Sequence, residues 1–120
     1  MKRILIADDE EATRFVIKYA LEDAGFEVIT AEDGYEAINL IREEMPDLVI
    51  LDVNMPEISG LDVTKLMRKD KATEKIPVFI STAADSIKNE FSGLNIESFI
   101  SKPYDVDILL SSVRRAIEKQ

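Results

Sequence analysis

Residues 48–60, LVILDVNMPEISG, decide how this chain is read. Leu48, Val49, Ile50 and Leu51 form a continuous apolar run, the pattern of a strand covered on both faces. The run ends in the carboxylate of Asp52, with Asn54 and Pro56 close behind. A charge at the edge of a dry core is costly unless something pairs with it. The partner of Asp52 has to come from elsewhere in the chain.

Outward from that stretch, the short apolar runs KRILIAD, EVITA, IPVFIST and ESFISK alternate with longer segments of helical period. In ATRFVIKYALEDAG, Ala12, Phe15, Val16, Tyr19 and Ala20 fall on one face, and Gly25 follows as a stop. A second helix opens at Asp33, with Glu36 three residues on as in a capping box, and Pro46 ends it. A third opens with the box Ser59–Asp62. The fourth, DSIKNEFSG, is expected to be short or irregular, capped by Asp85 or Ser86, stopped at Gly93 and tied down only by Ile87 and Phe91. The fifth, DVDILLSSVRRAIEKQ, is apolar on one side, with Arg114, Arg115 and Lys119 near its C-terminal end. Five strands alternating with five helices predict an α/β domain with a doubly wound parallel sheet. We find no linker or repeat, so residues 1–120 read as one domain.

Composition narrows the function. The chain has no cysteine and no histidine, which excludes thiol chemistry and an internal imidazole base, ligand or phosphoryl carrier. A formal charge of −9 opposes nucleic-acid binding by this domain. No apolar run approaches the ~20 residues that cross a bilayer, and the N-terminus lacks signal-peptide character, so a cytoplasmic domain without membrane partners is expected.

In a doubly wound sheet, ligands collect outside the carboxyl ends of the strands. Here those ends carry Asp8-Asp9, Asp52, Ser81-Thr82-Ala83 and Ser101-Lys102-Pro103. Taken singly these are unremarkable: an Asp pair is commonly a turn or cap, a strand-end Thr reflects β-propensity, and Lys-Pro is commonly a loop. Together they set three carboxylates, a hydroxyl and an ammonium on one rim. Crowded carboxylates repel, and a hard divalent cation, Mg²⁺, relieves that repulsion with oxygen ligands. With Lys102 opposite, the rim becomes a cationic cradle for a phosphoryl group, and one aspartate is placed as nucleophile.

The ordered motifs ILIADDE, LVILDVNMPEISGLD, IPVFISTA and SKP resemble the receiver domains of two-component response regulators, from Lys2 to about Ile117. The resemblance implies strand order 2-1-3-4-5 and a signalling phosphoacceptor rather than a turnover enzyme. It implies that Asp52 accepts a phosphoryl group from a histidine kinase or phosphotransfer protein, switching a surface toward an unidentified downstream protein. Asp9 and Asp52 would bind Mg²⁺ through side chains, Asn54 through its carbonyl and Asp8 through water. Thr82 and Lys102 would contact the phosphoryl group, and Pro103 would follow a cis peptide bond. Phe99 falls where the family keeps a switching aromatic, although an ordinary core aromatic fits there too. Partner recognition is expected on Phe99, Tyr104, Arg114 and Arg115.

Two places depart from the family pattern. The chain between Thr82 and Lys102 is shorter by a couple of residues, with Asn95-Ile96 before the fifth strand, and Ala84 stands where a polar side chain is frequent. Among rivals, a haloacid-dehalogenase-like phosphatase needs an acid where Asn54 stands, and a nucleotide-binding domain needs a glycine-rich loop that the first strand lacks. A receiver used only for docking would not need the intact rim, whereas one that serves as a phosphate sink would carry it.

Overall fold

The computed structural model describes the backbone of residues 1–120 and every side chain except that of Asp85. Five parallel strands are ordered β2-β1-β3-β4-β5: β1 Arg3–Ala7, β2 Glu27–Ala31, β3 Leu48–Asp52, β4 Val78–Thr82 and β5 Ser98–Ser101. The three central strands are buried on both faces, which is why their sequences run apolar without alternation. Alternate residues still go to opposite sides. Leu5, Val49, Leu51, Val78 and Ile80 join one core cluster. Ile4, Ile6, Leu48, Ile50 and Phe79 join the other.

The first cluster is covered by α2 (Gly34–Glu44), α3 (Gly60–Lys69) and a 3-10 helix (Asp85–Phe91). The second is covered by α1 (Glu11–Asp23) and α4 (Val106–Glu118). The chain leaves β1 toward β2 on one side and returns to β3 on the other. The loops after β1 and β3 therefore diverge, and a crevice opens at the carboxyl ends between them.

Local signals held unevenly. Around α3 both halves of the capping box form, with Asp62 N–H donating to Ser59 Oγ and Ser59 N–H to Asp62 Oδ2. At α2, Asp33 accepts from Glu36 N–H, but the Glu36 carboxylate accepts from Glu32 N–H instead of completing the box.

The buried face of α1 is not the expected one. Ile17 and Leu21 face the sheet, whereas Phe15, Val16 and Tyr19 are 71%, 51% and 67% exposed. Two stripes of helical spacing coexist on this helix, and periodicity cannot choose between them. The aliphatic pair at i and i+4 fits the seam against Ile4, Ile6 and Ile50, all fully buried.

The expected fourth helix is the seven-residue 3-10 helix, short as anticipated. Its N-cap is Ala84, with no side-chain cap, rather than Asp85 or Ser86. Gly93 follows at φ +82° and Asn95 at φ +55°, turning the chain back into β5. What ties this return loop down is Arg68 of α3. Its guanidinium donates to the carbonyls of Leu94 (2.8 Å), Asn95 (3.2 Å), Glu74 (2.9 Å) and Ile76 (2.9 Å).

Candidate metal and phosphoryl centre

The rim forms because strand alternation and strand length place it. Asp52 is the last residue of β3, two beyond Ile50, and Asp8 follows β1, two beyond Ile6. Both carboxylates thus turn toward the α1–α4 side of the sheet. Asp8 is fully buried and Asp52 is 4% exposed, while Asp9 stands in solvent. One oxygen from each of Asp8, Asp9 and Asp52 lies within 4.8 Å of the others.

Lys102 supplies the counter-charge. Its Nζ donates to Asp52 Oδ2 at 2.9 Å and forms an ion pair with Asp8 Oδ2, also at 2.9 Å. Burial alone would lower the lysine pKa, but the pull of the Asp8 and Asp52 carboxylates, each 2.9 Å away, outweighs it and pushes the pKa above the ordinary range. Lys102 is therefore a fixed ammonium. Asp52 shifts upward because burial is its largest influence. The bonds from Lys102 and from Asn54 N–H (3.0 Å) oppose that rise, and repulsion from Asp8 adds to it. Asp8 Oδ1 accepts from Glu10 N–H at 2.9 Å, but Asp8 Oδ2 is buried without a hydrogen bond of acceptable geometry despite the lysine beside it. One ammonium faces three carboxylates, and the buried Asp8 Oδ2 has an ion pair but no hydrogen bond. That is the condition a hard cation relieves, and an all-oxygen donor set suits Mg²⁺. Asp8, Asp9, Asp52 and the Asn54 backbone are the residues that could hold it.

A cleft of about 320 Å³ opens over this cluster, lined by Asp9, Glu10, Asp52, Asn54, Ala83 and Lys102. Behind Asp52, Gly60 packs so closely that an added Cβ would lie 2.6 Å from the Asp52 carbonyl oxygen, so α3 starts directly against the rim. The Thr82 hydroxyl is buried and occupied with its own loop, accepting from Ala84 N–H (3.0 Å) and pointing to the Ala84 carbonyl (3.2 Å). Phe99 is half-buried on β5, edge-on to Phe91 at 5.7 Å, with Lys88 Nζ 5.5 Å above its ring. The Lys102–Pro103 peptide bond is cis.

The structure thus gathers Asp8, Asp9, Asp52, Asn54 and Lys102 around one cleft, sets Thr82 at its edge and leaves Phe99 apart on the next strand. Three contributors escaped the sequence reading. Glu10 approaches Lys102 Nζ to 3.8 Å. Arg14 of α1 donates to the Asp8 carbonyl at 2.7 Å and pairs with Glu32 at 3.6 Å. Tyr104, expected on a partner surface, turns inward and donates to Ser81 Oγ at 2.7 Å. Arg14 lies six residues beyond Asp8, a usable signal once the helix start is known. The Tyr104–Ser81 pair had only a lone serine in an apolar strand to announce it.

Comparison with known proteins gives the family and the fold. The family described as "Response regulator receiver domain" matches residues 4–114. The alkaline phosphatase synthesis transcriptional regulatory protein PhoP of Bacillus subtilis is 38% identical over 105 residues, covering 86% of this chain and 43% of that protein. The DNA-binding dual master transcriptional regulator RpaA of Synechocystis is 35% identical, covering 99% of this chain and 50% of that protein. This chain thus spans about half the length of the curated relatives it matches. Among solved structures, the chemotaxis response regulator CheY4 of Vibrio cholerae superposes with a TM-score of 0.90 at 31% identity, covering 97% of this chain and 98% of that one. TrrA of Thermotoga maritima, in complex with Mg²⁺ and BeF, gives 0.88 at 36% identity, covering 97% and 99%. Among the described residues, no helix is long and apolar enough to cross a membrane. Sequence, sheet order and rim agree: the chain belongs to the receiver domains of two-component response regulators.

Proposed function

We propose that this receiver, a signalling phosphoacceptor, takes a phosphoryl group on Asp52 in a Mg²⁺-dependent reaction and thereby switches a partner-binding surface. The observation that carries this is the seat of Asp52. It is a nearly buried strand-end carboxylate with one oxygen bonded by Lys102 and the other by Asn54 N–H, open to the cleft shared with Asp9. Each carboxylate oxygen has two lone pairs, so one per oxygen stays available after these bonds. An Asp52 oxygen attacks phosphorus in line, and the bond from phosphorus to the donor breaks. The leaving imidazole belongs to a histidine kinase or phosphotransfer protein, since this chain has no histidine. Bound Mg²⁺ would supply charge neutralisation on the phosphoryl oxygens. Lys102 holds and neutralises them from the other side, and the Thr82 hydroxyl, released from Ala84, donates to one of them.

Phe99 then moves toward the space that Thr82 leaves, biasing an existing two-state equilibrium that a downstream protein reads. Residues 1–120 act as one receiver unit in the cytoplasm, without nucleic-acid or membrane contacts of their own. Identical Phe99 chemical shifts with and without a phosphoryl mimic would remove the switch. The acceptor itself is tested by intact mass after exposure to a small phosphodonor. Wild type should gain one phosphoryl group only with Mg²⁺, and Asp52→Asn should gain none. Full labelling of that variant would place the acceptor elsewhere.

A further inference from the structure

Ser81 joins the two halves of the rim. In the sheet register it lies directly opposite Asp52. Its carbonyl accepts from Val53 N–H at 3.0 Å, fixing the chain just after Asp52. Its fully buried hydroxyl accepts from Tyr104 at 2.7 Å, fixing the chain two residues after Lys102. The neighbouring Thr82 carbonyl accepts from Lys102 N–H at 3.0 Å. One short stretch of β4 therefore holds both the carboxylate and the ammonium, and the Tyr104–Ser81 bond is its side-chain tie to the lysine loop. Tyr104 packs against the second core cluster and borders an open cleft of about 220 Å³ with Ala12, Val16 and Val106. Burial first, against the opposing bond to Ser81, pushes the phenol up to about 12, so it remains a donor throughout the physiological range.

We infer that Tyr104 is a positioning residue. Through Ser81 it sets the separation between Lys102 Nζ and Asp52, and so the rate at which Asp52 accepts a phosphoryl group. The inference rests on Asp52 being the acceptor, but it has a readout that does not. Lys102 Nζ is clasped by two carboxylates at 2.9 Å, which protects it from amine-reactive reagents. A loosened loop exposes it.

Three measurements on Tyr104→Phe, Ser81→Ala and the double variant decide the matter. Stability follows a distinct pattern: Tyr104→Phe strands the buried Ser81 hydroxyl, and adding Ser81→Ala removes that penalty. Lys102 modification by a small acylating reagent, mapped by mass against the exposed Lys65, should accelerate about fivefold in Tyr104→Phe and stay fast in the stability-restored double variant, as a loss of about 1 kcal/mol of tethering implies. The saturating rate of Asp52 phosphorylation by a small phosphodonor with Mg²⁺ should fall about tenfold in both, with donor half-saturation unchanged. That is less than the ~100-fold that a 1 Å misplacement can cost. Wild-type modification and phosphorylation rates in the double variant would overturn the inference, leaving the bond a packing feature. Faster modification with no phosphoryl uptake by wild type itself would uphold the tether and overturn the acceptor reading.

Discussion

Lys102→Met is the most informative single change at the rim. It keeps a long unbranched stem and removes the charge that lies 2.9 Å from both Asp8 Oδ2 and Asp52 Oδ2. Asp8 has no exposure and Asp52 only 4%, so neither carboxylate regains bulk water when the ammonium goes. Breaking a buried pair by removing one partner costs about 3–5 kcal/mol. Against a typical total of about 5–15 kcal/mol, the metal-free variant should stay folded but weakened. The pH dependence has a definite sign. Burial already raises the Asp52 pKa against the pull of the lysine bond, and without that bond it rises further. A carboxylate raised in the folded state contributes stability that is fully present below its unfolded pKa of about 3.9 and is lost as pH rises through the folded value. The deficit of the variant should therefore be larger at about pH 7 than at about pH 5. Mg²⁺ acts the same way as protons. Native-state binding adds about 2.7 kcal/mol at a hundredfold excess over Kd, and a rim with one more uncompensated charge should gain more than wild type. Urea unfolding of both proteins at the two pH values, with and without Mg²⁺, measures all of this. A deficit below about 1 kcal/mol, or one indifferent to pH and Mg²⁺, would show that the rim is solvated and that the charge argument fails.

Three further outcomes follow from the fold and the cleft. Arg68→Met removes four bonds to loop carbonyls and should cost about 2–4 kcal/mol in urea unfolding, with faster hydrogen exchange at residues 74–77 and 93–97; an unchanged exchange map would refute the tie. On α1, Leu21→Ala should cost about 2–5 kcal/mol and Phe15→Ser less than about 0.5, the reverse of what the apolar stripe in the sequence suggests. Ala84 offers no side chain to orient water, so the phosphorylated domain should decay slowly. Ala84→Asn should shorten its lifetime, and an equal decay rate would discard that account.

The rim was legible because each of its parts ends a strand, and strands announce themselves. LVIL before Asp52 and ILIA before Asp8-Asp9 could hardly be anything else, and a parallel sheet puts all such ends on one edge. Reach across the fold was not legible. Which stripe of α1 faces the sheet depends on seam shape, which periodicity does not encode. Arg68 finds Leu94 and Asn95 across more than twenty residues of chain, and Tyr104 finds Ser81 across an equal gap. Neither pairing has a local signature, because both depend on where strand order places the partners. The fourth helical segment shows the opposite case. That it has only Ile87 and Phe91 as apolar anchors, and few helix formers, was a local fact, and the 3-10 geometry is its consequence.

That segment begins in a way that couples it to the rim. Ala84 is the N-cap of the 3-10 helix and brings no side chain to the task, so the first bond holding the entry in place is Ala84 N–H to Thr82 Oγ at 3.0 Å. The same hydroxyl is the group expected to turn toward a phosphoryl on Asp52, and turning there takes its oxygen away from Ala84 N–H. Removing it chemically should thus reproduce part of what phosphorylation does. Thr82→Val keeps the β-branched shape in a buried strand position while removing the oxygen that Ala84 N–H bonds to. Loss of a cap bond costs about 1 kcal/mol, which corresponds to about fivefold faster exchange of amides that open with the segment. Amides of residues 87–92 in the unphosphorylated variant should show that acceleration, while those of α4 keep their wild-type protection. Phosphorylation of the variant should then add little, and the Phe99 resonances should no longer respond to it. Wild-type protection across residues 87–92 in Thr82→Val would mean that the segment is held by Ile87 and Phe91 against the core, and that the threonine has no mechanical hold on the surface beyond it.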